Sequence, residues 1–467
     1  MTPDPDRSPS LPTPTPAPRD EATGLDPILP GAATPEMVFA AAEDIRRRFA
    51  PGTPERSAAL TGAVPFLARL LESPDHDLRG DSAELLYQML DVPGAADALN
   101  ARMGDWVVAE TVRRMMFEDA EFGICERAAA LVPGLVAVLR AGPPEAREPA
   151  ASALSQFKGS TLAPAVPALA DALSDGDGPV RKCAAYALSD AEIADPTGVV
   201  PKVIAALASA GGDAGFVWAL LQSLSRCGPA AAAAVPAVEA FLDSPDRNIG
   251  LDAAECLVRL GAGPRAIPFL RSVLHTAAGP LGRLAIQTAA RVLPACGPEG
   301  VDALRSALSS ARPETRRAAA EQLVPRDPSA VASLVRECLN SASAEERGWA
   351  ADLCAKSRAL IGLVFMDLLA LTGTPDARFR HQVFRLLAQT RPPAAAVPAF
   401  VAMLEDSYRR YFAMERLADM GRDAAAAIPP LERLAASPAI GANKPLVRSA
   451  REAVQRIRAD LAEGRPS

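Results

Sequence analysis

One pattern limits this chain more than any other. A short apolar opening that ends in proline returns at a nearly constant interval: Val64-Pro65, Val132-Pro133, Val166-Pro167, Val200-Pro201, Val235-Pro236, Ile267-Pro268, Val397-Pro398 and Ile428-Pro429. Prolines 133, 167, 201, 236 and 268 stand 34, 34, 35 and 32 residues apart, and the 68 residues from Pro65 to Pro133 make two such periods. Self-similarity at this spacing is the mark of a repeat array, in which each unit buries its apolar face against its neighbours. The interval predicts about twelve units between residues 60 and 460.

Each opening leads into a helix. Val166, Leu169, Ala170 and Leu173 lie on one helical face. Proline in the first turn loses no hydrogen bond there. A polar turn over 174–178 follows, and a second helix carries Val180, Cys183, Ala184, Ala187 and Leu188 on one side. Aromatics are only 4% of the chain and the apolar half is mostly Ala, Leu and Val, which suits closely packed helices. No alternating strand pattern occurs.

The stretch from Ala165 to Leu188 resembles a HEAT repeat, including the bacterial variant named after phycobilisome lyases. The resemblance is carried by Val166-Pro167 in the first helix, Asp175 in the turn, and Val180-Arg181, Ala184-Ala185 and Leu188 in the second. It covers about 400 residues and implies an all-α, armadillo-like, right-handed α-solenoid of about twelve two-helix repeats. The expected organisation is a disordered Pro-rich tail over 1–35, the solenoid over 36–460 with an irregular repeat at 95–130, and a disordered end over 461–467. The tail holds ten prolines, which fix φ and remove donors.

Within the second helix of each repeat one slot recurs. It holds Arg79, Arg147, Arg181, Arg316, Arg347, Arg380 and Arg410, whereas Val217, Gly250 and Ile286 occupy it in three repeats. The resemblance implies a structural role for this arginine row, half buried and paired with turn acids such as Asp75, Asp175 and Asp406. A guanidinium offers five donors in a fixed fork, which suits bridging between layers.

If the slot is half buried, positions one and five residues later face outward together. They are Gly80/Glu84, Glu148/Ser152, Lys182/Tyr186, Trp218/Gln222 and Leu251/Glu255. Gln287/Arg291, Arg317/Glu321, Gly348/Asp352, His381/Arg385 and Tyr411/Glu415 continue the row. The candidate partner-binding groove consists of Lys182, Tyr186, Trp218, Gln222 and Glu255, then Arg317, Glu321, His381, Arg385 and Tyr411. Aromatic residues on an open face anchor protein partners well. The other reading of Tyr186 and Trp218 is that they pack between adjacent repeats.

The chemistry that would mark an enzyme is sparse. Three histidines, His76, His275 and His381, have no metal-ligand spacing, and the His-Glu pairs of the HEAT-like deoxyhypusine hydroxylases are absent. Neither a Gly-x-x-x-x-Gly-Lys-Ser/Thr loop nor Gly-x-Ser-x-Gly occurs. The expected function is a noncatalytic protein-interaction scaffold, with no catalytic residue, metal or cofactor. The alternatives are a HEAT-like DNA glycosylase, for which Trp218 with Asp352 or Glu255 would be candidates, and a bilin-lyase-like enzyme. A net charge of −7 and a mixed row argue against nucleic acid. Seven scattered cysteines and no apolar span point to a cytoplasmic, membrane-free protein, expected to be a monomer.

Overall fold

A computed structural model describes residues 34–48, 50–121, 125–437 and 444–463. The chain divides into two compact units that meet between Val238 and Glu239. Among the described residues the secondary structure is helical, apart from one bridge between Gly159 and Ala191.

The first unit opens with α1 (Pro35–Arg48) and α2 (Pro54–Thr61). Five helix pairs follow. They are α3 (Val64–Leu70) with α4 (His76–Gln88), α5 (Ala95–Arg102) with α6 (Trp106–Glu121), and α7 (Val132–Ala141) with α8 (Pro144–Leu154). Next come α9 (Val166–Ala172) with α10 (Gly178–Asp190), and α11 (Val200–Ser209) with α12 (Ala214–Cys227). The short α13 (Val235–Glu239) lies on the border, and its partner α14 (Arg247–Arg259) opens the second unit.

That unit continues with α15 (Ile267–Thr276) and α16 (Gly279–Val292), α17 (Pro298–Ala307) and α18 (Pro313–Leu323), and α19 (Pro328–Leu339) and α20 (Ala344–Ala355). In the next pair the first member is broken into α21 (Arg358–Leu363) and α22 (Phe365–Ala370), facing α23 (Ala377–Leu387). Then come α24 (Val397–Met403) with α25 (Arg410–Met420), and α26 (Ile428–Ala436) with α27 (Lys444–Ala462). The described residues thus form twelve pairs after α2. We call the members of a pair A and B.

Inside each unit, like packs on like. In the first, α4, α6, α8, α10 and α12 touch in series, as do α3, α5, α7, α9 and α11. In the second, α14, α16 and α18 touch in series, and α20 meets α23. Each layer is therefore one helix wide, the arrangement of an α-solenoid. The apolar–Pro openings put proline in the first turn of α3, α7, α9, α11, α15, α24 and α26. The residue beside it is buried, as at Val64, Val132, Val166 and Val200. Small residues line the interfaces: Ala150, Ala184, Ala253, Ala289 and Ala319 are all fully buried.

Two boundaries differ from the sequence expectation. Residues 1–33 of the Pro-rich tail lie outside the described residues, but Pro35 opens α1, where its missing amide is harmless. At the other end α27 runs to Ala462, past the expected limit at 460, while 464–467 lie outside the described residues. Over 95–121 the chain forms α5 and α6, where α5 packs on α3, α4 and α7 and α6 packs on α4 and α8. Buried Asp119 on α6 accepts from the Tyr87 hydroxyl of α4 at 2.8 Å and from Arg127 at 2.9 and 3.1 Å, which ties the following segment back onto the stack.

Candidate protein-interaction face

The slot arginines reach the turn that ends the A helix. The last carbonyls of a helix have no partner within it. Arg79 donates to the Ser73 carbonyl at 2.7 Å, Arg181 to Asp175 at 2.7 Å, Arg347 to Ser341 at 2.8 Å and Arg380 to Thr374 at 2.6 Å, each six residues upstream. Arg410 takes the carbonyls of Asp406 and Glu405. Some arginines also bridge forward. Arg79 meets Asp105 at 3.3 Å and Arg147 meets Asp175 at 3.1 Å, while the Arg347 and Arg380 guanidinium groups lie over the rings of Phe379 and Tyr408. Arg316 stands 3.5 Å from Glu337.

Of the acids expected to pair with this row, only Asp175 does so through its carboxylate. Asp75 instead accepts from the amides of Asp77 and Leu78, and Asp406 from those of Tyr408 and Arg409. Short acids at these positions satisfy the free amides at the start of a B helix, a local bond that competes well with a distant arginine.

In the first unit the row brings Lys182, Tyr186 and Trp218 together. Lys182 on α10 binds Asp213 at 3.1 Å, and Asp213 also caps α12 by accepting from Phe216. The Phe216 amide and then Lys182 hold the Asp213 carboxyl below its usual range, and the same bond raises the Lys182 ammonium. The Tyr186 and Trp218 rings lie 6.1 Å apart at 46°. Gly215 makes that approach possible, since a Cβ there would stand 2.5 Å from the Tyr186 hydroxyl. Tyr186 is thus wedged between repeats, whereas Trp218 remains 40% exposed. Gln222 is half buried one turn further on.

The face extends over α6. Trp106 is 50% exposed and Phe117 42%, with Glu110, Arg113 and Arg114 between them. These positions are spaced by three, four and seven residues, so they share one side. Arg114 reaches Glu84 on α4 at 2.6 Å, and Arg113 lies over the Phe117 ring. Burial raises the Glu148 carboxyl, against the lowering effect of nearby Arg113. The Cys183 thiol is raised by burial and then by Glu148, which disfavours a reactive thiolate.

In the second unit the row brings Arg317 and Glu321 to a residue that the spacing does not mark. Trp349 donates from Nε1 to Glu321 at 3.2 Å and lies under the Arg317 guanidinium, which also binds Glu345 at 2.7 Å. They line a cleft of about 400 Å3. Trp349 sits two residues past its slot arginine, one beyond the expected outward position. Glu255 is engaged by Arg291 of the next B helix. His381 and Arg385 are exposed on α23, and Tyr411 is 44% exposed on α25. Two row positions are corrected: Leu251 and Ser152 are buried, at 6% each. Leu251 is apolar and Ser152 short, so neither reaches out of the packed layer as the long polar side chains of the row do.

Among the described residues, no three His, Cys, Asp or Glu side chains are placed to hold a metal ion, and no helix is long and apolar enough to cross a membrane. No family model matches the chain, and no curated protein matches it. Among solved structures it is similar to a mutant of the karyopherin Kap121p, with a TM-score of 0.47 and 14% identity over 92% of this chain and 54% of that one. It is also similar to a homology model of the full-length AP-3 complex in an intermediate open conformation, with a TM-score of 0.49 and 9% identity over 92% of this chain and 87% of that one. The chain spans about half the length of the karyopherin. Both scores lie below 0.5, so the functional reading rests on the residues of the face itself.

Proposed function

We propose that this chain is a noncatalytic scaffold that binds a protein partner through the exposed side of its B helices. One observation carries the reading. Every exposed aromatic side chain among the described residues, namely Trp106, Phe117, Trp218, Tyr408 and Tyr411, lies on a B helix or in the turn that leads into one. Chance would scatter them over both layers. Large, stiff, amphipathic side chains exposed on the B-helix layer of each unit are what a protein interface uses as anchors. The finer expectations, a cytoplasmic monomer with HEAT-type repeats, go with this proposal.

The charges on the same side fit it. Arg114, Lys182 and Arg317 are each held by a carboxylate of an adjacent repeat, so they do not form the free cationic stripe that a phosphate backbone requires. The residues considered for DNA-repair chemistry are likewise engaged: Arg291 holds Glu255, and Asp352 accepts from Gln382 at 2.7 Å.

The test is affinity capture from native lysate by the full chain and by a variant carrying Tyr186→Ala, Trp218→Ala and Tyr411→Ala. A protein retained by the parent chain and lost by the still-folded variant supports the reading. Equal retention by both, or recovery of nucleic acid in place of protein, refutes it.

A further inference from the structure

We infer that the outward side of α6 is a docking surface for a basic amphipathic helix of a protein partner, with the apolar stripe of that helix on Trp106 and Phe117 and its cations on the acids to either side. This rests on the interaction reading above and deepens it, by naming the chemistry of the segment that the first unit takes.

Trp106, Glu110, Arg113 and Phe117 follow one another along α6 at steps of four, three and four residues, so they form one ridge. Both rings are exposed, and they stand about three turns apart. Between them Arg113 donates to Glu110 at 2.8 Å, so the middle of the ridge is satisfied within itself. The ridge runs between two neighbours, since α4 packs on one side of α6 and α8 on the other. Two large apolar side chains held open on one helix face mark a place that a partner covers. A helix laid along the ridge meets both rings with apolar residues of a single stripe, as helices recognised by other helices do.

Charge selects the partner. The two cations of α6 are already engaged, Arg113 by Glu110 and Arg114 by Glu84 at 2.6 Å. Around them stand further acids: Asp77 and Asp81 on α4, Glu118 on α6 and Glu148 on α8. Each flank of the ridge carries the mark of this excess. On the α4 side the Asp81 carboxyl is raised by burial and then by Glu84, Asp77 and Asp75, against the pull of Arg114. On the α8 side burial raises Glu148, and Glu110 and Asp177 add to it against the pull of Arg113. Acids that raise one another leave a negative potential, which a partner's lysines or arginines relieve. A helix with cations on both edges of its apolar stripe complements the two flanks, whereas an acidic one is repelled.

The experiment measures two labelled helical peptides on the full chain by fluorescence anisotropy. One, of about fourteen residues, carries leucine along one side and lysine on both edges; its twin carries glutamate in place of lysine. The lysine peptide is expected to bind and the glutamate twin to fail. Trp106→Ser with Phe117→Ser changes exposed positions only and should weaken binding by about tenfold or more. Asp81→Asn with Glu148→Gln leaves the rings in place and should weaken it by a smaller factor. Tyr411→Ser, an exposed aromatic position of the second unit, should leave it unchanged. No binding of the lysine peptide, equal binding of the twins, binding indifferent to the α6 variant, or a loss as large at Tyr411 would overturn the docking surface. The native capture assay separates the two proposals. A partner captured through Tyr186, Trp218 and Tyr411 while the lysine peptide fails sinks the α6 surface alone; capture indifferent to those side chains, with no peptide bound, sinks both.

Discussion

Helices α10 and α14 occupy equivalent places in their repeats and close the turn before them by opposite means. On α10, Arg181 donates to the Asp175 and Gly176 carbonyls. On α14 the slot is Gly250, and no long side chain could stand there, because a Cβ would lie 2.5 Å from Phe269 of the next A helix. Both A helices end in tight bonds of the same kind, from the Ser174 and Asp175 amides to the Asp171 and Ala172 carbonyls before α10 and from the Ser244 amide to the Phe241 carbonyl before α14. The difference lies in what stands over the turn: an arginine on the Asp175 and Gly176 carbonyls in one repeat, the Phe269 ring over Gly250 in the other. The recurring guanidinium is thus an answer to helix-end carbonyls. Where a neighbouring ring occupies the place, as Phe269 does over Gly250, no arginine stands there.

The largest effect expected from this contrast is at Arg181. Arg181→Ala leaves two turn carbonyls short of a donor and should cost about 2 kcal/mol. Lys182→Ala, one residue on, removes a largely exposed pair with Asp213 and should cost about 0.5 kcal/mol or less. Thermal melts of both variants, with hydrogen exchange over 172–182, would show it. Equal losses would mean that the arginine is no more than surface charge.

A smaller effect of unexpected sign follows at the other pole. Replacing a helical glycine with alanine normally gains about 1 kcal/mol. Gly250→Ala should instead lose about 1–2 kcal/mol, since the new methyl meets the Phe269 ring. Adding Phe269→Ala should make the alanine harmless, and the double-mutant cycle measures the coupling. A stabilised Gly250→Ala would show that the ring does not fill the slot.

The same contrast explains what the sequence makes legible. Proline openings and slot arginines repeat because each repeat poses the same local problem, and they locate most pairs. Before α5 the apolar–Pro signal is displaced, with Val92-Pro93 two residues ahead of the helix, and α6 lacks the arginine. The A helix of this pair starts at Ala95 without proline, and Ala109 stands where the arginine would be, four residues after the cap Asp105. With that pair unassigned, Trp106 and Phe117 escape notice, although Asp105 followed by apolar residues at helical spacing is a usable start signal. The partnership of Tyr186 with Trp218 depends on the space over Gly215, and that of Trp349 with Glu321 depends on how far one B helix is offset from the next. Neither offset is written in a single repeat. Asp75 and Asp406 each turn one carboxylate oxygen to backbone amides two and three residues on, and Asp406 gives the other to the Arg409 guanidinium, a neighbour that the slot spacing does not mark.

The smallest effect concerns Asp252, two residues past Gly250. Its carboxyl is pushed up to about 6, first by burial and then by Glu255 and Asp246, with no cation among the causes. Glu148 on α8 is also raised by burial, but there Arg113 acts in the opposite direction. Asp252 is thus a half-buried acid with no cation acting to relieve it. The native state holds the Asp252 proton from the unfolded value near ~3.9 up to about 6, so its protonation favours folding at low pH. That contribution is full below the unfolded value and is lost as pH rises through 6. Asp252→Asn should therefore stabilise the chain at pH 7, by about 1 kcal/mol once solvent screening of a partly exposed group is allowed for. At pH 4 the two proteins should melt nearly together. A gain of equal size at both pH values would trace the effect to packing and not to charge.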